Sequence, residues 1–320
     1  KAALEAGATW LGVALLEEAI TLRASGITAP ILAWLVPPGS DYQSAVDNDI
    51  DVAVASLKAL AEVGAVNGAK RPRVHLEVDT GMTRGGFLSE WSEIDANDLQ
   101  GVEIVGIFSH FARADEPGQP QNLEQLTRFN KMVATLESLG FTNLIRHLSN
   151  SAATLVDHAS AFDMVRTGIA MYGLSPDVNT LGTSQKLDLI PAMTLRAKLH
   201  LVKDVPAGSS VGYGATAITK SDTKLGVVAM GYADGIPRIA QSAGVTFNGK
   251  KAPIIGRVSM DQFVVDLGPD SSAQSGDWVT VFSTGTNGEY TADDWGAASG
   301  SINYEIVTRI GPRVPRIYEL

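Results

Sequence analysis

The chain contains no cysteine among its 320 residues. This absence excludes disulfides, thiolate metal sites and a cysteine nucleophile. No apolar stretch approaches the roughly 20 residues that a membrane-spanning helix needs, so we expect no membrane partner. Basic residues number 25 against 35 acidic ones, and no basic run is present that could follow a phosphate backbone. Nucleic acid is therefore not an expected partner either, and no metal site is predicted.

What is present is ordinary for a globular protein, with 45% hydrophobic and 19% charged residues. The length allows two domains, or one large barrel with an appendage. No export signal is visible, because Glu5, Glu17 and Glu18 interrupt the apolar positions near the N-terminus; we expect a cytoplasmic location. The chain opens at Lys1 with what reads as a helix tail ending at Gly7. This predicts that further residues precede Lys1 in the parent protein.

The first half of the chain alternates short apolar segments with amphipathic helical patterns, which is typical of parallel strands joined by crossover helices. Helical periodicity is clearest over 16–25 and 123–139. A (β/α)8 TIM-type barrel without its first strand fits this pattern better than an open doubly wound sheet, which stays as the alternative. Seven strands are predicted, over 10–14, 31–35, 51–55, 74–78, 103–108, 144–148 and 164–170.

After about residue 185 the pattern changes to short strands separated by Gly, Asp, Asn and Pro turns, which indicates a mainly antiparallel β domain. Asn248-Gly249 predicts a two-residue hairpin, and 292–299 predicts a helix. With a linker over 175–189, we divide the chain into a barrel over 1–186 and a β domain over 187–320. The predicted strands are 193–202, 224–230, 245–248, 252–258, 262–267 and 278–282.

Polar side chains follow four successive predicted strands of the barrel, where its site would form. They include Arg84, His110, Ser151 and Arg166. An arginine inside an apolar strand needs a partner, either a ligand or a carboxylate on a neighbouring strand. The amides of Gly168 and Ile169 could bind an anion. Ser151 could serve as a helix N-cap or as part of an anion site. A cation beside an anion-binding turn favours a phosphorylated cofactor.

The β domain adds tyrosines that stand beside turn residues rather than inside strands. Tyr213 lies between two glycines, Tyr232 follows Gly231, and Tyr304 lies in an Asn-Tyr-Glu segment. Core tyrosines usually bury the ring and satisfy the hydroxyl. A tyrosine flanked by glycines has open backbone around it and can present its hydroxyl to a ligand.

Taken in order, these motifs resemble those of bacterial alanine racemase, a pyridoxal-phosphate enzyme with a barrel followed by a β domain. The resemblance runs from Ala3 to Arg316, nearly the whole chain. It implies an amino-acid racemase that interconverts L- and D-alanine by a two-base mechanism and supplies D-alanine for peptidoglycan. The segments that carry it are HLEVDTGMTR (75–84), NSAA (150–153), MVRTGIAMYGL (164–174), YGAT (213–216), GYADG (231–235) and GRVSMDQ (256–262).

The resemblance also implies a role for each matching residue. Pyridoxal 5′-phosphate would be bound by His147, Asn150, Ser151, Arg166, Gly168, Ile169 and Tyr304, with Ser151, the two turn amides and Tyr304 on the phosphate. Arg166 would face the pyridine nitrogen, where related decarboxylases carry a glutamate, and this favours racemisation over decarboxylation. Tyr213 would be one base, with His110 and Arg166 supplying hydrogen bonds and positive charge.

On the substrate side, the resemblance assigns the alanine carboxylate to Arg84 and the backbone of Met260, and the entrance to Tyr232. Tyr213 and Met260 would reach the barrel of a second subunit, which implies a homodimer with shared sites. Glu77 stands where many members carry a carbamylated lysine, and we expect it to orient Arg84 directly or through water.

One departure leaves the activity open at this stage. The family's second base, also its Schiff-base anchor, is a lysine in a segment that should lie before Lys1. Two alternatives to the alanine racemase therefore stay open. One is a non-catalytic protein that binds the cofactor or another ligand. The other is a racemase of broader amino-acid scope.

Overall fold

The computed structural model describes residues 1–240 and 242–319. Their contacts group into two compact units. The first comprises Lys1–Met171 with Asn179–Gly182, and the second comprises Tyr172–Val178 with the chain from residue 183 onward.

The first unit is built on a sheet of six parallel strands that lie in their sequence order. Sequential order is that of a (β/α) barrel, whereas a doubly wound sheet reverses its order at a switch point. The predicted barrel-type fold is therefore confirmed. The strands are β1 Leu11–Val13, β2 Ile31–Ala33, β3 Asp51–Val54, β4 Arg73–Glu77, β5 Glu103–Phe108 and β6 Ile145–His147. The helices are α1 Ala2–Glu5, α2 Leu16–Ala24, α3 Tyr42–Asp47, α4 Leu57–Gly64, α5 Pro120–Ser138 and α6 Ser151–Val156.

Local sequence explains these elements. Every residue of β2 and β3 is buried, as expected of parallel strands covered on both faces. Helix α5 has proline at its first position, where the missing N–H costs nothing. The buried side chains of α5 recur at three- and four-residue spacing, so one stripe of the helix packs on the sheet.

The seventh predicted strand, over 164–170, is wrong. Within the described residues, one backbone bond joins this stretch to the chain beside β6, from Arg166 N to Ser149 O (2.9 Å), and a second precedes the stretch, from Asp163 N to Arg146 O (3.1 Å). Strand β6 ends at His147 and the chain enters α6 at Ser151. Too little extended chain is left there to form a ladder, and Ile169–Tyr172 forms a 3-10 turn instead.

The second unit contains an antiparallel sheet in the order β12-β11-β14-β7-β10-β13 and a small pair, β8-β9. This confirms the predicted antiparallel β domain. Its strands are β7 Leu195–Val205, β8 Ser210–Val211, β9 Ala217–Ile218, β10 Thr223–Val228, β11 Gly244–Phe247, β12 Lys250–Pro253, β13 Phe263–Asp266 and β14 Trp278–Phe282. Its helices are α7 Ala292–Ala298 and α8 Asn303–Thr308.

The predicted hairpin at Asn248-Gly249 is confirmed. Phe247 pairs with Lys250, and the two turn residues have φ of 47° and 75°. Both values are positive, as a type I′ turn requires. Helix α8 was not predicted, because it is one and a half turns long and has no side-chain cap. Among the described residues, no helix combines the length and apolar character needed to cross a bilayer.

Candidate active site

The Arg166 side chain donates hydrogen bonds to backbone carbonyls at the C-terminal ends of β5 and β6. Its Nη1 donates to the carbonyl of His147 (2.9 Å) and lies 3.0 Å from His147 Nδ1. Its Nη2 donates to the carbonyl of Ser109 (2.7 Å) and lies 3.4 Å from His110 Nδ1. The guanidinium also stands over the ring of Phe108, 5.3 Å from its centroid. The partners of Arg166 are thus carbonyls and imidazoles. This arrangement leaves its charge available to a ligand, and it does not match the alternative of a strand-to-strand salt bridge.

A chain of polar groups runs from Arg166 through the interior of the sheet. His147 Nε2 lies 2.8 Å from His75 Nδ1, and His75 Nε2 lies 3.4 Å from Asp51 Oδ2. Asp51 in turn accepts a bond from Arg73 Nε at 2.8 Å. His75, His147 and Asp51 are buried.

Chemistry fixes the tautomers along this chain. Arginine can only donate, so His147 Nδ1 must accept from Arg166. His147 Nε2 then carries a proton and donates to His75 Nδ1, which leaves the proton of His75 on Nε2, facing Asp51. Both ring nitrogens of His147 are occupied by protein groups, so any influence of His147 on a cofactor passes through Arg166.

Sequence reasoning assigned no role to His75 or Asp51. Two polar residues within predicted neighbouring apolar strands were the available signal, since buried polar groups are normally paired.

Burial and positive charge decide the protonation of this cluster. The pKa of His110 is lowered to about 4 by burial and by the charges of Arg166 and Arg84. Burial also holds the pKa of His147 well below its usual value, and the charge of Arg166 and the neighbouring His75 lower it further. Burial also lowers the pKa of Arg166 to about 10, although Glu77 opposes this shift. At neutral pH both histidines are therefore neutral and Arg166 is charged.

These shifts predict a loss of stability in mild acid. A histidine whose pKa is lower in the folded state binds its proton preferentially in the unfolded state. The free energy of unfolding should therefore fall as pH drops from about 6.5 to about 4, the lowered pKa of His110. We expect a lower urea midpoint at pH 5 than at pH 7, and a smaller difference in His110→Asn. The exposed His200 gives the control, His200→Asn. Equal midpoints at the two pH values in the parent would contradict the prediction.

Ser151 and the turn after Arg166 form a group of donors. The buried Ser151 Oγ accepts bonds from Gly168 N (2.9 Å) and Ala170 N (3.3 Å), so its own proton is left to donate. Ser151 is the first residue of α6, and the N-cap is Asn150, whose Oδ1 accepts from Ala153 N at 3.0 Å. The N-cap alternative for Ser151 is therefore wrong. A Cβ built on Gly168 would meet no atom within 4 Å, so open space lies beside these donors.

The loop after β4 presents Arg84 to solvent. Its shape is set by Asp79, whose Oδ1 accepts from the backbone N–H groups of Gly81, Met82 and Thr83 at 2.8, 3.1 and 3.1 Å. The exposed Arg84 follows this turn. Among residues 1–240 and 242–319, no group of three His, Asp or Glu side chains is placed to hold a metal ion.

Glu77 lies behind the Arg84 loop. A Cβ on Gly85 would stand 3.0 Å from Glu77 Oε1, so the carboxylate packs against the residue next to Arg84. The predicted direct pairing is not made, since within the described part of the chain no ion pair of 4.0 Å or less joins Glu77 to Arg84. The two groups still interact through space. Burial raises the pKa of Glu77, while the charges of Arg84 and Arg166 act to lower it.

In the second unit, Tyr213 stands on a tight turn. Gly212 and Gly214 on either side have φ of 72° and 75°, values that favour glycine. The tyrosine is 71% exposed. The turn packs against Arg257, because a Cβ on Gly214 would lie 3.4 Å from Arg257 Nη1. The backbone therefore presents the Tyr213 side chain outward, as the glycine pattern predicts.

The same unit brings Tyr232 and Met260 together. Tyr232 N donates to Ser259 O (3.0 Å), and Ala233 N donates to Met260 O (2.9 Å). A third side chain, which was not predicted from the sequence, contacts both loops. Arg313 donates to Asp234 through Nε at 2.9 Å and contacts Asp261 through Nη2 at 2.9 Å. Asp234 also accepts from Gly231 N (2.8 Å), so one C-terminal arginine holds both loops in register.

Tyr304 lies in helix α8. The preceding residue, the buried Asn303, donates to Ser175 O at 2.8 Å and to Asp293 Oδ1 at 2.6 Å. These bonds fix the first turn of α8 and with it the backbone that carries Tyr304.

Comparison with known proteins covers nearly the whole chain. Two family models match, "Alanine racemase, N-terminal domain" over residues 1–176 and "Alanine racemase, C-terminal domain" over residues 192–318. The alanine racemase of Salinispora tropica is 49% identical over 330 aligned residues, which cover 99% of this chain and 87% of that protein.

Solved structures give the same result. The alanine racemase of a D-cycloserine-producing Streptomyces lavendulae superposes with a TM-score of 0.96 at 48% identity, covering 99% of this chain and 85% of that one. The Bacillus anthracis alanine racemase, solved with bound L-Ala-P, superposes with a TM-score of 0.87 at 37% identity, covering 99% and 83%.

Proposed function

The chain belongs to the alanine racemase family, and we propose that it interconverts L- and D-alanine by a two-base mechanism with pyridoxal 5′-phosphate, supplying D-alanine for peptidoglycan in the cytoplasm. The observation that carries the proposal is the placement of Arg166. Its charged guanidinium is held by the ends of β5 and β6, three residues before the Ile169 turn and the donors around Ser151.

The residues present fit the proposed cofactor. An anionic phosphate needs a hydrogen-bond donor and room. The Gly168 N–H already donates to Ser151 Oγ, so the proposed donor is the Ser151 hydroxyl, and the open space beside Gly168 supplies the room. Ile169 and Tyr304 complete the proposed phosphate set, and Asn150 supports it by capping α6. When bound, pyridoxal phosphate supplies an electron sink that acidifies the Cα proton of the amino acid.

Side chains of this protein would then orient the cofactor and transfer the Cα proton. Arg166 keeps its proton, so it would donate to the pyridine nitrogen of the bound cofactor and would leave that nitrogen unprotonated. The fixed tautomers of His147 and His75 hold the guanidinium in place through the bond to His147 Nδ1. Tyr213 would exchange a proton with Cα on one face, and racemisation needs a second base on the other face. The neutral His110 can accept or relay a hydrogen bond beside this path.

Substrate contacts would come from the loops. Arg84 would bind the alanine carboxylate, with the Met260 backbone opposite and Tyr232 at the entrance. We further propose a homodimer in which Tyr213 and Met260 reach the barrel of the partner subunit. Light scattering on the purified protein tests this assembly, and a monomer that racemises alanine would refute it.

The function is tested by assaying the full-length protein for D-alanine formed from L-alanine, with and without added pyridoxal phosphate. Competition with serine, lysine and arginine measures scope. We expect turnover of alanine that depends on the cofactor and exceeds turnover of lysine. A cofactor absorbance band without turnover would identify a binding protein instead, and comparable efficiency on lysine would identify a broad racemase.

Glu77→Gln should lower kcat/KM for alanine by about ten- to a hundredfold. The substitution keeps the shape and removes the negative charge that acts on Arg84 and Arg166. In the working enzyme, we propose that Glu77 orients Arg84 through a water-mediated, charge-assisted hydrogen bond; such a bond is worth roughly 1.5–3 kcal/mol, which gives that range. Because the carboxylate is built in, the parent's activity should not change when dissolved carbon dioxide is removed. The exposed Glu93 supplies the control, Glu93→Gln. Efficiency of Glu77→Gln within twofold of the parent would show that Glu77 has only a structural role.

A further inference from the structure

One face of helix α5 holds the two loops that carry the proposed site. Three of its side chains, at positions 121, 125 and 128, donate to backbone or hydroxyl oxygens of these loops. Gln121 Nε2 reaches Gly81 O at 3.1 Å, and Arg128 Nη1 reaches Thr80 O at 3.2 Å. Both contacts fall on the loop that presents Arg84.

Gln125, between them, contacts both loops at once. Its Nε2 donates to Thr80 Oγ1 at 3.1 Å and to His110 O at 2.9 Å, and its Oε1 accepts from Ala112 N at 2.9 Å. The orientation of the amide is settled by its partners, because the Ala112 N–H only donates and the His110 carbonyl only accepts. Gln125 has no exposed surface.

A buried primary amide is expensive to keep unless its hydrogen bonds are made. Gln125 lies on the buried stripe of α5 with Phe129, Val133 and Leu136, positions where an apolar residue would pack without that cost. The polar group at this position therefore has a use other than packing.

The contacts continue to the guanidinium at the centre of the site. Thr80 Oγ1 lies 2.8 Å from Ser109 Oγ, and both side chains are buried. The carbonyl of the same Ser109 accepts from Arg166 Nη2 at 2.7 Å. Gln125 thus stands directly behind the residues that hold Arg166 and His110, without itself facing the site.

We propose that Gln125 is a positioning residue of the racemase: it fixes the backbone of His110 and couples this loop to the Arg84 loop through Thr80. The inference rests on the proposed function of His110 and Arg84. It predicts that loss of the amide displaces His110 without removing any group that touches the substrate. Misplacement of a catalytic group by about 1 Å can cost about a hundredfold in rate.

The test uses Gln125→Met in the full-length holoenzyme, since methionine matches the length of glutamine and makes none of its three bonds. We expect kcat for alanine to fall by about ten- to a hundredfold. The matched control is Val133→Ala, two turns along the same buried stripe, which destabilises the helix packing and removes no hydrogen-bonding group. Val133→Ala should keep the kcat of the parent. Gln125→Glu, which keeps the acceptor for Ala112 N–H and the shape, serves if the methionine variant does not fold.

A double-mutant cycle separates positioning from general stability. Because Gln125 acts partly through His110, Gln125→Met should cost the His110→Ala variant less than it costs the parent, and the remainder is its effect on the Arg84 loop through Thr80. A full multiplication of the two losses, or a parent-like kcat in Gln125→Met or Gln125→Glu, would overturn the inference. A parent that does not racemise alanine would refute the proposed function, and the inference with it. An active parent with unaffected Gln125 variants would refute the inference alone.

Discussion

Tyr213→Phe should reduce racemisation of alanine by about 10²–10⁴-fold, the range for a lost general acid–base group. The substitution keeps the ring and the glycine turn that presents it, and it removes only the hydroxyl. Two enantiomers have an equilibrium constant of unity, so kcat/KM must stay equal in the two directions. Steady-state rates therefore cannot show that each base serves one enantiomer, but exchange of the Cα proton with solvent can. In D2O, the Cα proton of one enantiomer should still exchange, and that of the other should not.

The measurement is proton exchange by NMR alongside polarimetry. The control is Tyr318→Phe, because Tyr318 is 87% exposed and has no proposed role. If the Tyr213→Phe variant racemises alanine at the parent's rate, Tyr213 is not one of two catalytic bases. Exchange of both enantiomers at equal rates would show that a single base serves both faces.

Arg166→Lys should lower activity by about a hundredfold or more although the charge is retained. Lysine presents a point charge and cannot reproduce the fork that contacts His147 and Ser109. The carbonyls at the ends of β5 and β6 would lose a donor. Each buried group left unsatisfied costs about 1–3 kcal/mol, so the free energy of unfolding should fall with the activity.

Steady-state kinetics and urea unfolding of the Arg166→Lys variant measure the two effects. Arg146→Lys is the matched control, because Arg146 pairs with Asp163 at the surface with both side chains about two-fifths exposed, where ion pairs contribute little. Activity of Arg166→Lys within tenfold of the parent would show that charge alone, and not the geometry of the fork, is required.

Local patterns predicted the elements that depend on local sequence. Alternating apolar segments located β1 to β6 within a few residues, and Asn248-Gly249 located the β11–β12 turn. The stretch 164–170 was mispredicted because its apolar content resembles a strand. Strand formation also needs a partner of sufficient length, and the early start of α6 at Ser151 withholds it. That competition between neighbouring segments is not encoded in either segment alone.

The candidate site, too, was predictable from the sequence only in part. Residues at strand ends could be found from sequence, since a polar residue after an apolar run is visible. The roles of Asp51, His75 and Gln125 could not, because each role depends on what the fold places beside the side chain. Arg313 lies about fifty residues from Asp261, and only the folded chain shows that the two side chains are 2.9 Å apart.

The chain of groups from Arg73 to Arg166 limits how this protein can be engineered. Most barrels tolerate exchange of one interior aliphatic side chain for another, which lets a library vary the core separately from the site. Here His75 and His147 occupy interior positions on β4 and β6, and an apolar replacement of either would unpair its neighbours. Libraries for altered substrate scope should therefore leave these two strands untouched and vary the loops around Arg84 and Met260, the residues proposed to bind the substrate.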